Sequence, residues 1–202
     1  MKLVFMGKTG SGKGTQAKII ADKLGILHIS TGELCRQSTG EFGKLVHSYI
    51  DKGNFISDEL MIKMLKERIS KEDCKGGFIL EGFPRTLSQA EELEKLFKAD
   101  NIIEIYISDE EAIKRMNGRR TCRKCSAIYN IYTFPVPKKE NICDHCGGKL
   151  YAREDQTEDA IKQRMLVYHR CTEPILEKYP PVRVDGSKSI EQVTKEILAV
   201  LK

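Results

Sequence analysis

Gly7-Lys8-Thr9-Gly10-Ser11-Gly12-Lys13-Gly14-Thr15 decides how the rest of the 202-residue chain is read. An apolar run of strand length, Leu3-Val4-Phe5-Met6, comes just before it. After it, Ala17, Ile20, Ala21 and Leu24 fall at helical spacing and share one face. A glycine-rich turn between a buried strand and a helix start is a phosphate cradle. Its glycines let the backbone curl until several N–H groups point inward, and the helix N-terminus adds partial positive charge. Lys13 reaches the terminal phosphates from such a loop, and a hydroxyl stands near Mg²⁺. The strict pattern has Ser or Thr directly after the lysine. Here Gly14 intervenes and Thr15 follows, a variant of the same loop.

Working outward, short apolar runs alternate with helical periodicity. Lys2 to Met6, Leu27 to Ile29, Phe78 to Leu80, Ile102 to Ile107 and Val182 to Asp185 read as strands. Helices are expected from about Gly12 to Leu24, with Gly25 as the stop, and from Ser30 through Arg36. Gly40 and Gly43 punctuate, Leu45 to Asp51 is helical, and Gly53 ends that stretch. Ser57-Asp58-Glu59 opens a further helix with a capping hydroxyl and acids in its first turn. Thr86 to Phe97, a helix begun by a capping box at Ser108, Thr157 to Thr172, and Ser189 to Leu201 complete the set. Pro174 starts a turn or kink. Strands alternating with helices imply a parallel sheet covered on both faces. Glu81-Gly82-Phe83-Pro84-Arg85 follows the third strand, at the edge where such sheets gather functional residues.

Charged residues make up 31% of the chain and the net charge is +5, which suits a globular protein with anionic small-molecule ligands. There is no block of five or six like charges to mark a nucleic-acid tail. The longest apolar run, Ile197 to Leu201, is far too short to span a membrane, and the N-terminal run is too short for a signal peptide. Seven cysteines in such a chain point to metal or free thiols in a reducing compartment, with the cytoplasm expected.

The stretch from Gly118 to Glu154 breaks the alternation and reads as a compact β insertion. Cys122-x2-Cys125 and Cys143-x2-Cys146, seventeen residues apart, carry the spacing of a four-thiolate ribbon. Four soft thiolates at tetrahedral spacing suit Zn²⁺, with iron as the alternative. All four positions are filled by protein, so the metal is structural and folds a segment with little core of its own. His145 offers a competing donor, though Cys146 has the better spacing. Cys35, Cys74 and Cys171 read as small packed residues.

Five motifs then occur in one order. They are Gly10-x-Gly12-Lys13-Gly14-Thr15-Gln16; Ser30-Thr31-Gly32-Glu33 with Arg36; Gly82-Phe83-Pro84-Arg85 with Gln89; Gly118-Arg119-Arg120; and Arg153-x-Asp155 with Arg164. Together they resemble adenylate kinase in its zinc-carrying form, across essentially the whole chain. The resemblance implies an α/β fold: a P-loop parallel five-stranded sheet flanked by helices, with a helical monophosphate-binding insertion and a small zinc-bound β lid. The core would be 1–29, 57–117 and 155–202, the monophosphate insertion 30–56, and the lid 118–154. AMP would be held by Thr31, Arg36, Asn54, Phe55, Ile56, Gly82, Phe83, Pro84, Arg85 and Gln89, with Arg153 and Arg164 bridging phosphates. ATP would lie on Gly10, Ser11, Gly12, Lys13, Gly14 and Thr15, with Arg115, Arg119, Ile128, Tyr129 and the backbone near Lys188 around it. Lys13, Arg85, Arg119, Arg153 and Arg164 would be catalytic. Glu33 and Glu81 would orient Mg²⁺-bound water. The partners implied are ATP, AMP and ADP, with no nucleic acid or membrane, for a cytoplasmic monomer.

The chain departs from the family pattern in places. Lys8-Thr9 stands where Ala-Pro is common, Glu33 and Glu81 stand where Asp is usual, and Gln156 replaces a second Asp. Other readings are a kinase for UMP, CMP or GMP, a GTP-using donor site, a zinc-ribbon nucleic-acid-binding P-loop ATPase, and a nucleotide-binding regulator without activity.

Overall fold

A computed structural model describes residues 1–50, 56–153 and 156–201. Asn54 and Phe55, assigned above to AMP, lie outside the described residues, as do Asp51, Gly53, Glu154 and Asp155. Five parallel strands form the central sheet. They are β1 (Lys2–Met6), β2 (Leu27–Ser30), β3 (Phe78–Glu81), β4 (Asn101–Tyr106) and a last strand, Val182–Asp185. β1 lies in the middle, between β3 and β4. Its side chains alternate between two cores, as a two-sided buried strand requires. Val4 and Met6 face Phe78, Leu80 and Leu65; Leu3 and Phe5 face Ile79, Ile103, Ile105 and Ile20.

The register sets the site. Ser30 on β2 and Phe5 on β1 both pair with Glu81 on β3, so three strand ends stop at one level. The phosphate loop, the start of α2 (Thr31–Gln37) and the Gly82–Arg85 turn therefore open at the same carboxyl edge. α1 (Lys13–Leu24) follows the phosphate loop directly, and its backbone stop at Gly25 has φ 64°.

Helix starts follow the hydroxyl rule. Ser30, Ser57, Thr86, Ser108, Thr157 and Ser189 each accept a hydrogen bond from a first-turn backbone N–H. They cap α2, α4 (Asp58–Ile69), α5 (Leu87–Leu96), α6 (Asp109–Gly118), α7 (Glu158–Val167) and a C-terminal helix, Ile190–Val200. Three expectations need correction. Gly43 does not punctuate; it lies inside α3 (Gly40–Ile50), where a Cβ would stand 2.5 Å from the Ser38 carbonyl oxygen. At Ser108 only the serine half of the capping box forms, because the Glu111 carboxylate turns instead to Arg115 at 2.7 Å. The helix expected to run to Thr172 ends at Val167 and widens into a π turn, Tyr168–Thr172. Pro174 has no N–H for the carbonyl four residues back, and the widening falls there instead of a kink. Pro174 then sits in the first turn of α8 (Glu173–Lys178).

The insertion after α6 is a separate three-stranded antiparallel sheet: β5 (Arg119–Cys122) between β6 (Ile128–Asn130) and β7 (Leu150–Tyr151). The closing strand of the main sheet is then β8 (Val182–Asp185) and the last helix α9 (Ile190–Val200). On β4, Glu104 is buried, and it accepts from Arg183 Nε at 2.7 Å and Tyr168 OH at 3.2 Å. Among the described residues no helix is long and apolar enough to cross a membrane.

Both halves of the capping box are present at Ser189. Ser189→Ala is expected to lower stability by about 1 kcal/mol, read as a drop in the urea midpoint with the slope unchanged.

Candidate active site

One cleft of about 2250 Å³ opens at the carboxyl edge of the sheet. Its floor is the phosphate loop. Gly12 has φ 97°, a left-handed conformation that lets the backbone curl into the first turn of α1. The Lys13 ammonium lies within this curl and donates to the Gly7 and Lys8 carbonyls, each at 2.7 Å. Its pKa is lowered to about 8, chiefly by burial. Glu81 pulls it up, and the positive charges of Arg85 and Arg119 push it down.

Across the cleft stands the Gly82–Arg85 turn. Gly82 has φ 86°, and a Cβ there would lie 2.6 Å from the Thr31 hydroxyl, so only glycine lets this turn approach α2. The Arg85 guanidinium donates from Nε to the Gly82 carbonyl at 2.8 Å. Burial pushes Arg85 down, Glu81 opposes, and Arg164 adds to the push. Lys13 thus feels Arg85 and Arg119 as like charges, and Arg85 feels Arg164.

Every described residue assigned above to a nucleotide or to Mg²⁺-bound water lines this cleft. Arg115 is steadied by Glu111 and donates to the Gly186 carbonyl at 2.9 Å. The Glu81 carboxylate accepts from the Ser30 hydroxyl at 2.5 Å, and Glu33 accepts from Gln37 at 3.0 Å. Two carboxylates beside the phosphate loop fit Mg²⁺, which keeps several waters and takes few protein oxygens.

Two of the assigned side chains also bond within the protein. Both ends of the Gln89 amide are spent on protein: Oε1 accepts from the Arg85 N–H at 2.7 Å, and Nε2 donates to Asp58 at 2.6 Å. It buttresses the arginine turn. The Tyr129 hydroxyl turns into the lid, accepting from the Asp144 N–H at 2.8 Å beside the Cys143 sulfur at 3.6 Å. Asp58, Ser30 and Thr172 all support the site, yet nothing local in sequence shows what they bond to, since their partners lie 31, 51 and 87 residues away.

Cys122, Cys125, Cys143 and Cys146 converge, with all four sulfurs within 4.8 Å of one another. The Cys122–Cys146 and Cys125–Cys143 sulfur pairs are each 3.5 Å apart. Four sulfurs bound tetrahedrally at ~2.3 Å stand ~3.8 Å apart, so the set fits Zn²⁺. His145 is not in the cluster; its ring packs 6.3 Å from that of Tyr129. Burial pushes the Cys143 thiol up, but hydrogen bonds from Tyr129 and the Cys146 and His145 backbone outweigh it and leave it at about 6. A thiolate is the form that binds metal.

A loop for one phosphate chain faces an arginine turn suited to a second, beneath a small metal-knuckle sheet. This is the layout of a P-loop nucleoside monophosphate kinase. The family model for adenylate kinase matches residues 5–183. An adenylate kinase of Archaeoglobus fulgidus is 45% identical across all of this chain and 98% of that protein. One of Acetivibrio thermocellus is 46% identical across the whole chain and 98% of its length, and one of Bacillus licheniformis 44% with the same coverage. The chain belongs to the adenylate kinase family, enzymes that transfer a phosphoryl group between ATP and AMP to give ADP.

Removing the metal with a chelator, thiols kept reduced, is expected to lower Tm while kcat below the metal-free transition stays near normal. Calorimetry beside an ADP assay checks this. An equal fall in kcat while the metal-free lid is still folded would show a metal acting in the chemistry.

Proposed function

We propose that the cleft catalyses MgATP + AMP ⇌ 2 ADP by clamping two nucleotides end to end between the phosphate loop and the Gly82–Arg85 turn. ATP takes the loop, and AMP takes the side of Thr31, Arg36, Ile56 and Arg85. The observation that carries this reading is the convergence of Lys13, Arg85, Arg119 and Arg164 on one cleft, where Lys13 feels the positive charges of Arg85 and Arg119, and Arg85 that of Arg164, with Glu81 as the opposing charge.

The acceptor oxygen of AMP is already anionic, so no general base is required. What must be overcome is repulsion between two polyanions. Two unit charges 4 Å apart interact by about 4 kcal/mol at an effective dielectric near 20. Several such terms are offset by Lys13, Arg85, Arg119, Arg153 and Arg164, whose planar forks match phosphate oxygens. The same groups hold charge on the transferring phosphoryl, where positioning and electrostatics supply nearly all of the catalysis. Mg²⁺ arriving with ATP neutralises phosphate charge; Glu81, held by Ser30, and Glu33 orient its waters. The segments 30–56 and 118–154 act as movable covers over a core of 1–29, 57–117 and 155–202. Lid closure is an established property of adenylate kinases. Here it brings Arg119 and Arg153 over the phosphates and excludes water that would otherwise hydrolyse ATP. The bound metal is Zn²⁺ and structural. The enzyme works in the cytoplasm, which suits seven cysteines with no disulfide among them, and as a monomer, as the family resemblance implies.

A coupled assay with each nucleotide omitted in turn tests the reading. ADP is expected only when ATP and AMP are both present; ATP consumption without AMP, or an equal rate with UMP, CMP or GMP, would overturn it. A second outcome follows from Lys13. With its proton held only to about pH 8, bound phosphates must pull that proton back on. MgATP binding is therefore expected to take up a proton above pH 8 and to weaken by up to about tenfold per unit there. Calorimetry in buffers of different ionisation enthalpy reads the uptake. Lys13→Arg, which does not titrate, is expected to abolish it.

A further inference from the structure

The phosphate loop is anchored by a side chain that the transfer chemistry does not use. Lys8 is only 5% exposed and does not line the cleft. Its ammonium sits over the Tyr106 ring at 5.3 Å and the Tyr168 ring at 5.8 Å. It pairs with the carboxylate of Asp109, the first residue of α6. The other Asp109 oxygen meets His169 Nε2 at 2.9 Å, and Nδ1 of the same ring meets Glu173 at 2.9 Å. Two cations thus alternate with two anions.

His169 lies in the π turn, and such turns are frequent at functional sites. Three residues on, the Thr172 hydroxyl donates to the Arg85 carbonyl at 3.1 Å. One turn therefore grips both sides of the cleft. Through His169 and Asp109 it holds Lys8, whose own carbonyl receives the Lys13 ammonium. Through Thr172 it holds the backbone of Arg85.

We propose that Lys8, His169 and Thr172 are positioning residues for phosphoryl transfer, forming a strap that sets the separation of the phosphate loop from the Gly82–Arg85 turn and that grips fully only while His169 is protonated. The proposal rests on the roles given above to Lys13 and Arg85.

The proton requirement follows from hydrogen-bond counting. A neutral imidazole has one N–H and satisfies one carboxylate; the cation has two and satisfies both. Glu173 and then Asp109 raise the His169 pKa, against a smaller opposing effect of burial. Lys8 and His169 together hold the Asp109 carboxyl low. Glu110 adjoins Asp109 in sequence, and Glu104 with Arg183 faces the Tyr168 side of the turn; that pair balances itself. With the folded pKa above the ordinary value of about 6.5, the strap is complete below it and loosens as pH rises through the folded value. Geometry at the reacting atoms is the sensitive quantity, since a misplacement of about 1 Å costs on the order of a hundredfold. Local nucleotide contacts survive a loosened strap, so kcat should fall while KM does not.

The test compares Lys8→Met, Lys8→Arg, Thr172→Val and His169→Gln with the wild type between pH 6 and 9, and reads the His169 pKa by NMR of its ring. Lys8→Met and Thr172→Val are expected to lower kcat about tenfold with both KM values within about twofold, a partial misplacement on that scale. Lys8→Arg restores most of the loss. The wild-type kcat should fall with the NMR pKa of His169, and His169→Gln should lack that step. Unchanged kcat in both Lys8→Met and Thr172→Val, or a His169 pKa at or below that of free imidazole, overturns the strap. If Lys8→Met does not fold, Lys8→Arg and the wild-type profile against the NMR titration decide. Lys13→Met separates the two readings. If it is inactive while Lys8→Met is fully active, only the strap fails; if Lys13→Met turns over normally, the cleft chemistry fails first.

Discussion

Cations gathered around the Glu81 carboxylate, Lys13 and Arg85 with Arg119 and Arg164 close by, are the constraint on which this structure turns. Desolvation and neighbouring cations both disfavour a protonated Lys13, and Glu81 offsets only part of that. The folded state bears this because two large cores, one on each face of the sheet, supply the stability. Fully burying a single Leu, Ile or Phe side chain is worth about 1.5–3 kcal/mol, and both clusters contain many. On the function proposed above, the cation cluster is a site prepared for phosphate, with the cost of assembling it met by the fold before any ligand arrives. That is the arrangement in which fixed charges stabilise a transition state without reorganising at the moment of reaction.

The parallel sheet is what makes such a cluster possible. A P-loop lysine, an arginine four residues past β3 and a lid arginine after α6 are far apart in sequence. Strand register brings the first two to one level, and α6 carries Arg119 back over the same edge. Side chains such as Ser30, Asp58 and Gln89 then fix the approach of Glu81 and Arg85 without needing to touch a nucleotide.

This explains which parts were legible in the sequence. Features read within one element came through: the glycine loop, the serine and threonine caps, the two Cys-x-x-Cys turns and the strand alternation all depend on spacing over a few residues. Features that depend on packing between distant elements did not. Gly43 looks like a breaker until the Ser38 carbonyl is seen against it. Nothing in the sequence near Tyr129 shows that its hydroxyl lies beside Cys143, fourteen positions on. Lys8 reads as a stiffness change in the loop, and no periodicity links it to Asp109, 101 positions on, or to a histidine in a π turn.

The lid shows how a mobile part can be stable without joining either main core. Its own cluster among the described residues is Cys122, Tyr129, Cys143 and Leu150, too few to fold a segment of this size by apolar burial. Two of the four are the sulfur ligands themselves, so the metal centre and the core are one object. With a metal on its four thiolates, such a unit would be held from within and would need no extensive packing against the body of the enzyme. In the closure proposed above it would move on its ends as one piece, with β5 carrying Arg119 from the point where α6 stops. Adding apolar contacts between lid and core would raise stability and oppose that swing; placing the stability in the metal site separates the two demands.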